Sequence, residues 1–160
     1  MKKTLLLLAL ATAMQVHALE AGAVVLDFET LNHNDANLND AGYRYEEDGF
    51  RLVNAGDWPF ATYGALDADF SGSTAMINDN DRGVTVLTQV GGGAFSLTSI
   101  DLAELALGAG SYSVAFTGTT TSGTAVTQQF TLDGAHGAQT FTFDPGFTNL
   151  TSVVWANTPG

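Results

Sequence analysis

Residues 112–143 read YSVAFTGTTTSGTAVTQQFTLDGAHGAQTFTF, and apolar side chains recur at every second position in them. Tyr112, Val114 and Phe116 form one such set, Phe130 and Leu132 a second, Phe141 and Phe143 a third. Successive strand residues point to opposite faces, so alternation of this kind marks strands with one face buried. Between the sets lie Thr120–Thr124 (TTSGT) and Asp133–Gly137, rich in residues that tolerate the positive φ of tight turns. Each is expected to join two strands as a hairpin.

The same period extends through the rest of the chain. Val24, Leu26 and Phe28 share a face, with Asp27 and Glu29 opposite. Phe50–Asn54, Val84–Val90, Ala94–Asp101 and Thr151–Ala156 are further strand candidates, and Trp155 alternates with Val153 as a core residue. Leu102–Leu107 reads either as an extension of the preceding strand or as one or two helical turns. About nine short antiparallel strands with frequent turns predict an all-β fold, a β-sandwich of jelly-roll type. Asn32–Gly42 and Gly56–Gly72 lack alternation and read as long polar loops, the places where binding residues concentrate. The chain stops five residues after Trp155, which leaves room for a missing closing strand.

The N-terminus, MKKTLLLLALATAMQVHA, has two lysines, an apolar run and then small residues at Val16 and Ala18. That order predicts a secretory signal peptide over residues 1–18, cut after Ala18, with Ala21-Gly22-Ala23 as a second position. The run is too short to span about 30 Å of hydrocarbon, so no membrane insertion is expected after its removal. The expectation is a secreted, extracellular protein with one domain over 19–160. The chain has no cysteine, so the domain must hold by its core. Removing Lys2 and Lys3 leaves Arg44, Arg51 and Arg82 against seventeen acids, a balance of −14. Such a polyanion repels nucleic acid and anionic lipid, and attracts cations.

The segments VVLDFETL, EEDGFRLV and GGGAFSLTSIDLAEL, with FTLDGAHGAQTFTFDPGFTNLTSVVW, resemble exported bacterial β-sandwich proteins of the PEP-CTERM-associated group. That resemblance implies a fold similar to galactose-binding-like and carbohydrate-binding modules. Family members usually end in an Asp-Asn-Ile strand and a sorting tail, and neither is found here, so anchoring by that route has no support. Similar modules often hold a structural calcium between a strand glutamate, the next loop and a C-terminal aspartate. By that resemblance Glu29, Asp35 and Asp40 are the candidate calcium ligands, although no C-terminal aspartate matches. The residues by themselves do not form an EF-hand, since position six is Asp40 where glycine is required. A solvated loop held by side-chain turns is the alternative. Asn78–Gly83 has a similar composition and reads as an ordinary turn.

Sugar recognition needs exposed rings beside hydrogen-bonding groups. Trp58 and Tyr63 are the candidate stacking residues, with Asp57 and Asp67 as acceptors; the alternative is that these rings, with Tyr43 and Tyr45, close off the core. Catalysis has little to draw on. His33 and His136 are the only histidines after the leader, neither lies in a Gly-x-Ser-x-Gly context, and two distant histidines make no zinc site. The expected function is therefore a non-catalytic surface or matrix module binding extracellular polysaccharide or cell-surface glycan. The alternatives are a structural or assembly protein without a small ligand, and a glycoside hydrolase relying on carboxylates.

Overall fold

A computed structural model describes residues 23–67, 74–79, 83–103, 112–135 and 137–156, together with the backbone of 8–18 and 104. Ala21, the end of the 56–72 segment, Arg82, Leu107 and His136 lie outside the described residues. The first seven strands are β1 (Leu8–Ala18), β2 (Val24–Leu26), β3 (Leu38–Gly42), β4 (Arg44–Glu47), β5 (Phe50–Asn54), β6 (Phe60–Tyr63) and β7 (Ala75–Asn78). Then come β8 (Val84–Gln89), β9 (Phe95–Glu104), β10 (Ser113–Thr120), β11 (Ala125–Thr131), β12 (Ala138–Thr142) and β13 (Leu150–Ala156). A 3-10 turn, Glu29–Leu31, follows β2.

Every strand pair is antiparallel, and the pairing resolves into two layers. One runs β3-β6-β7-β1-β9-β12, with β2 beside β7 on the same edge of β1. The other runs β4-β5-β8-β13-β10-β11. A lone register pair, Leu150 opposite Phe95, joins them. The fold is thus an all-β sandwich, as the alternation predicts.

Side chains of both layers meet in one apolar core. Phe50 of β5 meets Phe95 of β9 edge-on at 5.6 Å. Phe116 of β10 contacts Phe130, Phe143 and Trp155, with ring centroids 5.2–5.7 Å apart. Such tilted and T-shaped contacts suit the ring quadrupole. Along β9 the buried parity changes: Phe95 and Leu97 point inward, then Ile100 and Leu102, all at most 2% exposed. A bulge makes the switch, since Val16 faces Leu97 while Gln15 faces Ser99, leaving Thr98 over. One extra residue turns every later side chain to the opposite face.

Three sequence expectations need correction, and one open alternative is decided in part. There are thirteen strands among the described residues, where about nine were expected. The supposed loops contain strands: β3 closes the Asn32–Gly42 segment and β6 lies inside Gly56–Gly72. The Asp133–Gly137 turn makes no hairpin, because β11 pairs with β10 and β12 crosses to β9 in the other layer. After Leu102 the strand continues to Glu104, so that part of the ambiguous segment is extended. The TTSGT turn does join two paired strands, β10 and β11.

Candidate functional site

Strand β6 has a different candidate at each end. At its start, the loop from β5 carries Asp57, Trp58 and Pro59. Asn54, the last residue of β5, is 4% exposed and fixes this loop from beneath. Its side-chain amide donates to the Trp58 carbonyl at 2.8 Å, and its Oδ1 accepts from the Gly56 N–H at 2.9 Å. Tyr43, just beyond β3, donates its hydroxyl to the Asp57 carbonyl at 3.0 Å. The Asn54 N–H in turn donates to the Tyr43 carbonyl at 2.9 Å. Tyr43 and Trp58 are therefore tied to one turn held by Asn54.

Their rings are the exposed ones. Trp58 is 56% and Tyr43 51% exposed, and every other aromatic side chain among the described residues is buried or half-buried. Trp155 is 3% exposed and belongs to the core, as its alternation indicated. Tyr45 is also a core residue: its hydroxyl bonds Thr30 Oγ1 at 2.7 Å, and burial pushes its pKa up to about 12.

At the far end of β6 the picture differs. Tyr63 is half-buried and packs against Ala61, Ala75, Ile77 and Ala103 on the outer face of the first layer. Five residues of extended chain, about 16 Å, separate it from Trp58. Asp67 follows the turn at Gly64 and donates its N–H to the Gly64 carbonyl at 3.0 Å. The structure thus sets Trp58 with Asp57 and Tyr43 at one end, and Tyr63 with Asp67 at the other.

The segment before β3 is stitched to that second end. The N–H groups of Gly64, Ala65 and Leu66 donate to the carbonyls of Asn37, His33 and Asp35 at 2.7–3.0 Å. A Cβ at Gly64 would come within 2.1 Å of the Asp35 carbonyl oxygen, so only glycine permits this approach.

The three calcium candidates each accept hydrogen bonds from different partners. Glu29 accepts from the Asn32 amide at 3.1 Å and the Thr74 N–H at 3.3 Å. Asp35 accepts from the Asn37 N–H at 3.0 Å and the Asn39 amide at 3.2 Å, bonds that hold its carboxyl below the usual range. Asp40 accepts from the Gly42 N–H at 2.7 Å. Among the described residues no three acidic or imidazole groups converge. Each of these carboxylates keeps lone pairs beyond the bonds it accepts here. Asp40 instead faces Asp79, whose carboxyl is raised by burial and by that like charge.

Sequence reasoning passed over Asn54 and named Tyr43 only among rings that close off the core. Asn54 signals itself as a polar residue at an inward position of the Phe50, Leu52, Asn54 series. Tyr43 is 14 residues from its partner Asp57, so only the folded chain reveals the pairing. No family model, curated protein or solved structure matches the chain.

Proposed function

We propose that this protein is an exported, non-catalytic module of the cell surface or extracellular matrix that binds glycan through Trp58 and Tyr43. A pyranose ring stacks on an aromatic face while its hydroxyls donate hydrogen bonds to neighbouring acceptors such as the Asp57 carboxylate. The observation that carries the reading is the exposure of these two rings, Trp58 on a loop fixed by Asn54 and Tyr43 hydrogen-bonded to that loop. The Tyr43 ring is held by its hydroxyl and the Trp58 backbone by Asn54, so less freedom is lost on binding. The resemblance to exported β-sandwich modules and the leader over residues 1–18 support the location; no helix among the described residues is long and apolar enough to cross a membrane.

A glycan array with wild type and Trp58→Ala tests the proposal. Binding to at least one polysaccharide class is expected, weakened about tenfold or more in the variant, or roughly 1.4 kcal/mol. The melting temperature should not move, because exposed side chains away from special features change stability little. With Trp155 buried, a stacking ligand should shield only the Trp58 emission from a soluble quencher. An array on which no saccharide distinguishes wild type from Trp58→Ala overturns the proposal, and release of free sugar would favour the hydrolase reading instead.

A further inference from the structure

Strand β1 occupies a position that the sandwich cannot leave empty. It pairs with β9 from Leu8 opposite Glu104 to Ala18 opposite Phe95. Its other edge is shared by β7, with Ala9–Ala11 facing Ile77–Ala75, and by β2, with Met14–Val16 facing Leu26–Val24. Since β1 is antiparallel to both neighbours, β7 and β9 run parallel to each other, two strand spacings or about 9.6 Å apart. Without β1 each becomes an edge with a row of unpaired N–H and C=O groups. Closing the gap would mean sliding β6 and β7 as a block against β9 and β12.

These are not edges made to face water. Ala75, Met76 and Ile77 are each 1% exposed and Asn78 is 4%, so β7 is buried on both faces. It carries no charge and no proline, the usual guards of an open edge. Yet the strand that covers it is the apolar part of the leader. If residues 1–18 are a cleaved signal, the mature sheet is short of a central strand.

Resting on that reading of the leader, we propose that this sheet contains a strand-acceptor slot between β7 and β9. Leu8–Ala18 fills it in the precursor, and after cleavage an extended apolar strand of another protein chain takes its place. Main-chain hydrogen bonds to an exposed strand edge supply affinity, and the alternate side chains supply specificity. The strand that fits contains no acid: LALATAMQVHA has none, whereas the body after Ala18 carries −14. The partner strand is accordingly free of aspartate and glutamate, about eleven residues long, and antiparallel to β9.

Cysteine cross-linking tests the slot in the full chain, which has no native cysteine to interfere. His17 and Ser96 face each other across β1 and β9. Directly opposed residues in an antiparallel pair lie within disulfide reach. The variant His17→Cys/Ser96→Cys should form an intrachain disulfide under mild oxidation, as should a Val86→Cys/Val154→Cys control in β8 and β13. Formation of the control alone overturns the proposal.

The second arm starts from the folded full chain with Ser96→Cys, cut after Ala18 by a protease site inserted there. Loss of the leader should lower the melting temperature by roughly 5–10 °C. A synthetic LALATAMQVHA peptide with cysteine at its His17 position should then restore it and cross-link to residue 96. A peptide with aspartates at alternate positions should do neither. Cut protein that loses its leader without losing stability and takes up no peptide overturns the proposal. So does pairing of two cut chains with each other in preference to the acid-free peptide. Mass spectrometry of the exported protein reads the cleavage separately: a retained leader sinks the export reading while the first cross-link still reports the slot.

Discussion

Gly49 turns the chain between β4 and β5 at φ 81°, directly after Asp48 at φ 47°. Positive φ at both central positions makes this a type I′ hairpin, whose twist matches that of its strands. A Cβ at Gly49 would meet nothing within 4 Å, so the cost of a side chain there is purely that of the backbone conformation. Gly49→Ala should therefore destabilise the protein by about 1 kcal/mol, read as a lower urea midpoint with an unchanged slope. An unaffected midpoint would mean that the turn relaxes to another type. The Asp-Gly pair is visible in the sequence, with Tyr45 before it and Phe50, Leu52 after. Phe28 is the opposite case. It adopts φ 60° although it is not glycine, placing its ring 5.6 Å from Tyr45 in the core. Burial of the ring and the Glu47 bond to its N–H accompany that conformation, and both are properties of the folded chain.

Strand β4 carries an acid that the fold keeps partly out of water. Glu47 is half-buried, and burial pushes its carboxyl above the ordinary value of 4.5 although its Oε2 accepts the Phe28 N–H at 3.3 Å. A carboxyl whose folded pKa is raised favours folding while protonated. That contribution is present below the unfolded pKa near 4.5 and is lost as pH rises through the raised folded value. Asp79 acts in the same direction. Asp35 and Glu46 act oppositely: their lowered carboxyls stabilise the fold above their unfolded values of 3.8 and 4.5 and fail as pH drops through the folded ones. The melting temperature should therefore peak on the acid side of neutrality. Glu47→Gln, which keeps an acceptor for Phe28, should raise it at pH 7 and leave it unchanged at pH 4; an equal change at both would remove Glu47 from the account. The neighbouring elements differ in how readable they are. Phe50–Asn54 is legible to the residue because one face is apolar and the other is not. Strand β7, AMIN, is buried on both faces, so no alternation betrays it. Strand β3, LNDAG, is polar and short, and only its pairing with β6 makes it a strand.

The candidate site was legible to the extent that one side chain declares itself. Trp58 sits off any alternating run, flanked by Asp57 and Pro59, and it proves exposed. Its separation from Tyr63 follows from β6, a strand hidden inside an apparent loop. The charge of the whole molecule is legible too, but its distribution is not. Arg44 and Arg51 both bind one carboxylate, Glu46, with Arg51 Nε at 2.6 Å. Two of the three cations after Ala18 are thus spent on a single acid of the β4–β5 surface, leaving most of the carboxylates to repel one another. Repulsion of this kind is spread over distances that salt screens, with a Debye length of about 30 Å at 0.01 M and about 3 Å at 1 M. The melting temperature at pH 7 should climb steadily between those concentrations of sodium chloride, and the climb should shrink at pH 4, where part of the charge is gone. Calcium and magnesium chloride at equal ionic strength should give the same rise from screening alone, with the turns around Glu29, Asp35 and Asp40 left as they are. A rise specific to calcium and abolished by Asp35→Ala would show instead that these turns open to a shared ion, since a ligand bound only to the native state must stabilise it.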